Sequence, residues 1–316
     1  MIKVYNNLEN IEFDENTIVT VGTFDGVHLG HKEILNRLLS FKSKNRTCIV
    51  TFHPHPQHIL GNKSINLKLL TSINERIWLF NEMGIDSVLV VPFTKEFSNL
   101  SARDFIINII YKKLGLKRFL IGYDHTFGKN REGNYDLLQE LSKEMNFEVE
   151  RIEAKTNDEE QVISSTKIRQ ALLNRDLELA NKYLGWNYIV TGIVREGYKR
   201  GRTLGYPTAN IVPEEDHKLL PGNGVYVVKS TIGDTDYFGM ASVGVRPTFL
   251  DNAHQLLEVH FFDLDENLYG KELKIEFLAY IREEKKFDVL DELIQEMNKD
   301  KEISLKFLRR IVNSSL

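Results

Sequence analysis

The chain carries two kinds of hydrophobic spacing, and the change from one to the other divides it. In its first half, short β-branched apolar runs recur between longer stretches of helical spacing: TIVTVG (Thr17 to Gly22), TCIVTF (Thr47 to Phe52), SVLVVP (Ser87 to Pro92) and RFLIG (Arg118 to Gly122). These runs are apolar at consecutive positions rather than at every second one. That pattern predicts strands covered on both faces, hence βαβ units around a parallel sheet, with any ligand beyond the strand C-terminal ends. Near Ser164 the stretch SSTKIRQALLNRDLELANKYLG opens on hydroxyl N-cap candidates, repeats Ile168, Leu172, Leu179 and Tyr183 at near-helical spacing and stops at Gly185. It predicts a helix closing a first domain of residues 1–185. From Tyr188 onward the runs YIVTGIV, PTANIV, GVYVVKS, YFGMASVGV, LEVHFF and ELKIEFLAYI are separated by turns instead of helices. They predict a second domain, 186–316, built as a small antiparallel β-barrel. From Phe287 to Val312, the residues Phe287, Leu290, Leu293, Ile294, Met297, Leu305, Leu308 and Ile311 fall on one helical stripe, a C-terminal helix expected to pack against the barrel.

The totals narrow the class without changing this outline. A length of 316 residues suits about two domains, and 42% hydrophobic residues suffice for ordinary cores. A net charge of -4 and a pI near 6.2 argue against broad affinity for nucleic acid, which comes mainly from Lys and Arg neutralising phosphates. The single cysteine, Cys48, cannot form an intrachain disulfide, and the first fifteen residues have neither a basic leader nor an apolar signal core. Together with the lack of an apolar run of about 18 residues, this leads to the expectation of a cytoplasmic protein with no membrane, nucleic-acid or obligate protein partner.

Three clusters carry chemistry. VGTFDGVHLGH, Val21 to His31, places a Gly-rich turn and two histidines between a strand and a helix start. Backbone N–H groups and the helix dipole there favour phosphate, and His28 and His31 add donors to oxygens that gain charge during phosphoryl transfer. Capping and packing of a helix start is the alternative reading of the same histidines. ISSTKIR (Ile163 to Arg169) gathers hydroxyls, a lysine and an arginine at another helix start, a second phosphate cradle. REGYKRGRTLGYPTANI (Arg195 to Ile211) packs basic residues beside glycines, either a flap over phosphates or a solvated loop, and ends with Thr208 and Asn210 on one strand face. Their oxygens suit Mg²⁺. DLDENLYGKELK mimics an EF-hand loop at its start but has Leu268 at the sixth position and Lys274 at the twelfth, so that reading fails.

Taken in order, GTFDGVHLGH, TFHPHP (Thr51 to Pro56), GYDHTFGKNREG (Gly122 to Gly133) and ISSTKIR resemble the FMN adenylyltransferase module of the bacterial bifunctional riboflavin kinase/FAD synthetase family. RGRTLGYPTANI, PGNGVYVV, LEVHFF, SVGVRPTF and AYIREEKKF resemble its kinase module. The resemblance implies a Rossmann-like nucleotidyltransferase domain followed by a kinase barrel, making FMN from riboflavin with ATP and Mg²⁺ and then FAD from FMN and ATP. It implies that Gly22, Asp25, His28 and His31 form the adenylyl-transfer site and that Ser164, Thr166 and Arg169 hold the outer phosphates. His55, Pro56, Asp124 and Phe127 would border flavin or adenine. In the kinase half it makes Glu258 the general base, Gly201, Arg202 and Gly205 the phosphate flap, Thr208 and Asn210 the metal pair, and Arg282 and Phe287 flavin contacts. HPHP read by itself also fits a rigid strand-exit turn, and Glu258 an exposed strand carboxylate. One activity alone, a flavin-sensing barrel and a nucleic-acid binder are the rivals; both motif sets are intact, which disfavours the first two.

Overall fold

The consecutive apolar runs form the middle of a parallel sheet. In the computed structural model, which describes residues 1–61, 67–153, 163–196, 205–245, 255–287 and 289–314, the strands are β1 (Lys3–Tyr5), β2 (Thr17–Val21), β3 (Arg46–His53), β4 (Ser87–Pro92), β5 (Leu116–Gly122) and β6 (Glu148–Ile152). They pair in parallel in the order β1-β4-β3-β2-β5-β6. All five residues of β2 are buried, as covering on both faces requires. Helix α1 (Leu29–Leu39) leads from β2 to β3 and buries Ile34, Leu35 and Leu38. A short helix α2 (Pro56–Leu60) leaves β3, and α3 (Ile73–Glu82) starts at a reciprocal cap between Ser72 and Glu75. Helix α4 (Ala102–Asp104) runs on into a π-helical stretch, Phe105–Leu114, and α5 (Tyr135–Met145) precedes β6.

Strand order reverses between β2 and β5: β3 and β4 lie on one side of β2, β5 and β6 on the other. A crevice opens outside the carboxyl ends of strands at such a point, which is where ligands of doubly wound sheets sit.

The turn-separated runs form the expected barrel. Strands β7 (Ile189–Arg195), β8 (Ala209–Pro213), β9 (Gly224–Ile232), β10 (Thr235–Val245), β11 (Gln255–Phe261) and β12 (Glu272–Arg282) close in the order β10-β11-β8-β7-β12-β9, every pairing antiparallel. The helix expected over 164–185 is two: α6 (Ser165–Leu173) and α7 (Leu177–Leu184). They are separated at Arg175, which has a φ of +67°, and Asp176, which caps α7; Gly185 ends α7 in the left-handed conformation. The C-terminal helix α8 (Leu290–Ser314) begins three residues later than the apolar stripe suggests. Its Met297, Leu305 and Leu308 pack against Tyr206, Val225, Met240 and Phe262, whereas Leu290 and Ile311 from the same stripe stay exposed.

The chain divides into two compact units, Met1–Ser164 and Ser165–Leu316. Helices α6 and α7 therefore belong by contact with the barrel: Asn181 Nδ2 donates to the Phe277 carbonyl at 3.1 Å, and the Gly222 N–H donates to the Leu172 carbonyl at 2.9 Å.

Candidate active sites

In the first unit, the exit of β2 is a turn that ordinary residues resist. Phe24, Gly26 and Val27 have φ values of +48°, +87° and +38°. For a β-branched valine that conformation is strained and must be held by its surroundings. Asp25 supplies the hold. Only 2% exposed, its carboxylate accepts from the Leu70 N–H (3.2 Å), the Thr71 N–H (3.0 Å) and the Thr71 hydroxyl (3.2 Å), while the Gly26 N–H donates to Thr71 Oγ1 at 3.0 Å. Arg76 on α3 is fully buried and donates to the Thr23 carbonyl (2.6 Å) and Thr51 Oγ1 (3.2 Å), tying the same turn to β3.

The turn delivers two histidines to the start of α1. His28 is the N-cap, its Nδ1 accepting the His31 N–H at 3.3 Å, so the capping reading is realised in the same side chain that the functional reading singles out. The rings of His28 and His31 stack with centroids 3.6 Å apart, and Phe24 meets His31 edge-on at 5.3 Å. Burial, first, and then the neighbouring His28, His125 and Arg76 hold the His31 imidazole well below the usual histidine range. Its Nδ1 is buried with no hydrogen-bond partner among the described residues.

Other predicted residues gather on neighbouring strand exits. Gly30 lies so near the Ile163 carbonyl that a Cβ there would stand 3.3 Å from it, so the chain leading into Ser164 passes against the HLGH helix start. His55 caps α2 by accepting the Gln57 N–H at 3.2 Å, and Pro56 occupies the first helical turn, where its missing N–H costs nothing. Beyond β5, Asp124 is exposed. Phe127 packs on Phe119 and Phe105 at ring distances of 5.9 and 6.0 Å, and its backbone exchanges two hydrogen bonds with Gly133. It is 6% exposed and part of the core, a support for this turn. Between them stands His125, stacked on Phe127 at 6.3 Å, its Nε2 buried without a partner among the described residues. Thr166 is exposed and Arg169 half-buried, both on α6 in the second unit.

In the barrel, strand register assembles the second site. Asn210 on β8 lies directly opposite Glu258 on β11, and Glu258 directly opposite Ser242 on β10. Side chains of directly opposed residues share a face with Cβ atoms about 5 Å apart, so the amide and carboxylate are neighbours although 48 positions separate them. Thr208 precedes β8 and lines a cleft of about 250 Å³ with Pro207, Phe261 and the loop from Leu264 to Tyr269. That loop is the one whose acidic spacing mimics an EF-hand. His260 Nδ1 contacts the Pro207 carbonyl at 2.9 Å, its ring meets Tyr206 at 5.0 Å, and the Tyr206 hydroxyl reaches Asn298 of α8. Arg282 makes a bidentate pair with Asp300, 2.8 and 2.6 Å, on the same helix. Phe287 is half-buried and Gly205 sits in an exposed turn with a φ of +79°; Gly201 and Arg202 lie outside the described residues. Among the described residues no group of three or more His, Cys, Asp and Glu could hold a metal ion.

Periodicity does not single out Arg76, His125 or the Leu264–Tyr269 loop. The capping pattern Ser72-x-x-Glu75 beside Arg76 is the one signal that could have drawn attention to α3.

Residues 10–167 match the FAD synthetase family and residues 184–308 the riboflavin kinase family. A bifunctional riboflavin kinase/FMN adenylyltransferase from Buchnera aphidicola subsp. Schizaphis graminum is 39% identical over 98% of this chain and 99% of its own. Its counterpart of the same name from Escherichia coli K12 is 34% identical over 97% of each chain. A crystal structure described as a macrolide-efflux protein from Streptococcus pneumoniae is 31% identical, covers 96% of this chain and 99% of that one, and superposes with a TM-score of 0.84. Among the described residues no helix is long and apolar enough to cross a membrane, and the efflux description stays with that protein.

Proposed function

This chain belongs to the bifunctional riboflavin kinase/FMN adenylyltransferase family, and from that premise we propose how its residues divide the two reactions. It phosphorylates riboflavin to FMN with ATP, then transfers AMP from a second ATP to FMN, releasing pyrophosphate and FAD. The adenylyltransferase function occupies residues 1–185 and the kinase function 186–316. The first family match, extending to residue 167, supports giving the ISSTKIR segment to the first function even though α6 packs with the barrel.

In adenylyl transfer, an oxygen of the FMN phosphate bonds to the α-phosphorus of ATP as the bond to pyrophosphate breaks. His28 and His31 lie at the positive end of α1 and donate to oxygens gaining charge there. The strained turn from Gly22 to Val27, held by Asp25, aims them; Ser164, Thr166 and Arg169 take the outer phosphates; His55, Pro56 and Asp124 border the flavin or adenine, with Phe127 supporting them from the core.

In the kinase half, the observation that carries the reading is the Asn210–Glu258 register, which sets a carboxylate beside an amide two residues along the chain from Thr208 of the cleft. Glu258 removes the proton from the riboflavin 5′-hydroxyl as that oxygen bonds to the γ-phosphorus of ATP and the bond from that phosphorus to the leaving ADP breaks. The Thr208 hydroxyl and Asn210 carbonyl are hard oxygen donors of the kind Mg²⁺ takes alongside substrate phosphates, whose charge the ion would neutralise. The cleft beside Thr208 receives the nucleotide, the glycines and Arg202 of the preceding segment close over its phosphates, and Arg282 and Phe287 border the flavin. The reaction's need for ATP and the lone, buried Cys48 support a cytoplasmic location.

The test is a chromatographic time course of the purified protein with riboflavin, ATP and Mg²⁺, resolving riboflavin, FMN and FAD. FMN should rise first and then convert to FAD. FMN that accumulates without FAD would remove the adenylyltransferase assignment, and unchanged riboflavin would remove both.

A further inference from the structure

Two turns flank the crevice where the first unit's strand order reverses. From β2 comes the turn bearing His28 and His31; from β5, paired with β2 at Thr20↔Leu120, comes the turn bearing His125. The adenylyl-transfer reading uses the first pair and leaves the third imidazole without a task.

His125 is not placed as a surface histidine. Its backbone N–H donates to the Gly122 carbonyl at 3.2 Å, closing the turn directly on the end of β5. Its ring lies nearly parallel to Phe127, at 22°, and Phe127 is fixed in the core by Phe119, Phe105 and the two backbone bonds to Gly133. The ring therefore has a defined direction. Its Nε2 is buried and unpartnered among the described residues, as is His31 Nδ1. Leaving one buried polar atom unsatisfied costs free energy; two imidazoles from opposite sides of one crevice, each with such an atom, mark hydrogen-bonding positions that a ligand completes. The two rings also sense each other's charge, since His125 is among the groups that disfavour a proton on His31.

We propose that His125 is a further substrate-contacting residue of the adenylyl-transfer site, donating from Nε2 to the phosphate of FMN. The proposal rests on that reading of the first unit. Joining FMN to ATP forces two phosphates together, and their repulsion must be offset from both sides. His28 and His31 address the α-phosphate from the β2 side. A donor from the β5 side meets the incoming nucleophile, where a purely apolar ring could stack on the flavin but could not hold a phosphate oxygen.

The experiment compares His125→Phe and His125→Asn with the parent enzyme, measuring FAD formation with FMN and ATP each varied in turn, and riboflavin phosphorylation in the same preparations. Phenylalanine keeps the stacking surface and removes the donor; asparagine keeps a donor. His125→Phe should raise KM for FMN about tenfold or more, the scale of a hydrogen bond to a charged group, with KM for ATP within about twofold and the kinase rate unchanged. His125→Asn should recover part of the loss. A KM for FMN unchanged in His125→Phe, or a loss falling on ATP instead, would overturn the proposal. An equal loss in both variants would also overturn it, since it would mean that only shape matters. Failure of the parent enzyme to form FAD would strike the underlying reading rather than this residue.

Discussion

Two imidazoles stacked 3.6 Å apart and shielded from water cannot both hold a proton cheaply, and the residues around His31 sharpen that constraint. Burial opposes protonation, and His28, His125 and the buried Arg76 add to it; His125 itself is held low by burial, partly countered by Asp124. In the unfolded chain His31 and His125 take up protons near the ordinary value of 6.5, but in the folded protein only at lower pH, so between the two the unfolded state binds more protons. Stability is then full above the ordinary histidine value and falls as the pH drops toward the depressed folded one. Trp78 lies on α3 and Trp186 outside the first unit, so Trp78 fluorescence in a Trp186→Phe background should report lower resistance to urea on acidification through that window, with the dependence reduced in His31→Ala. Cys48 adds nothing to this titration, because burial pushes its thiol up to about 11.

At the scale of elements, the residues proposed for adenylyl transfer gather on what leaves the strands. The exits of β2, β3 and β5 each end in a turn whose residues are fixed by their own hydrogen bonds: Asp25 to the Leu70–Thr71 peptide, His55 to Gln57, Phe127 to Gly133. The Asp25 clamp opposes local strain, since Val27 stays at positive φ only while the turn is held. Replacing Asp25 with Ala leaves the buried Thr71 N–H without this acceptor. It should destabilise the first unit by about 3 kcal/mol, in line with the loss of a buried, charge-assisted network, read as a lower urea midpoint for Trp78. In the barrel, α8 plays the comparable part. It takes up the Arg282 guanidinium through Asp300, and through Asn298 it fixes Tyr206, two residues before Thr208. The Asp300 pair and the Glu283 carbonyl take three of the five guanidinium N–H groups, so a flavin contact by Arg282 falls to the remaining donors or to the planar face of the group.

For the whole molecule, the histidines proposed for adenylyl transfer lie in the first compact unit and the base proposed for the kinase, Glu258, in the second, so the activities should separate by mutation. His31→Ala should depress FAD formation by about 10²–10³-fold, the usual consequence of losing an electrostatic donor, while FMN still accumulates. Glu258→Ala should slow riboflavin phosphorylation by about 10²–10⁴-fold yet leave FAD formation from supplied FMN intact. Loss of both activities from either change in a folded protein would contradict two separate sites. The amino-acid order alone determined the fold class: consecutive apolar runs between helical stretches can be buried only as a two-faced parallel sheet, and turn-separated strands must close among themselves. It also marked HLGH, ISSTKIR and PTAN, whose chemistry is local in the chain. Tertiary structure decided what depends on residues far apart in sequence: the register that sets Glu258 beside Asn210, the carboxylate of Asp25 turned onto Thr71, Arg282 committed to Asp300, and Phe127 drawn into the core. Hydrophobic spacing records which face of an element is buried. It does not record which distant polar group completes a hydrogen bond there, because that pairing leaves no period along the chain.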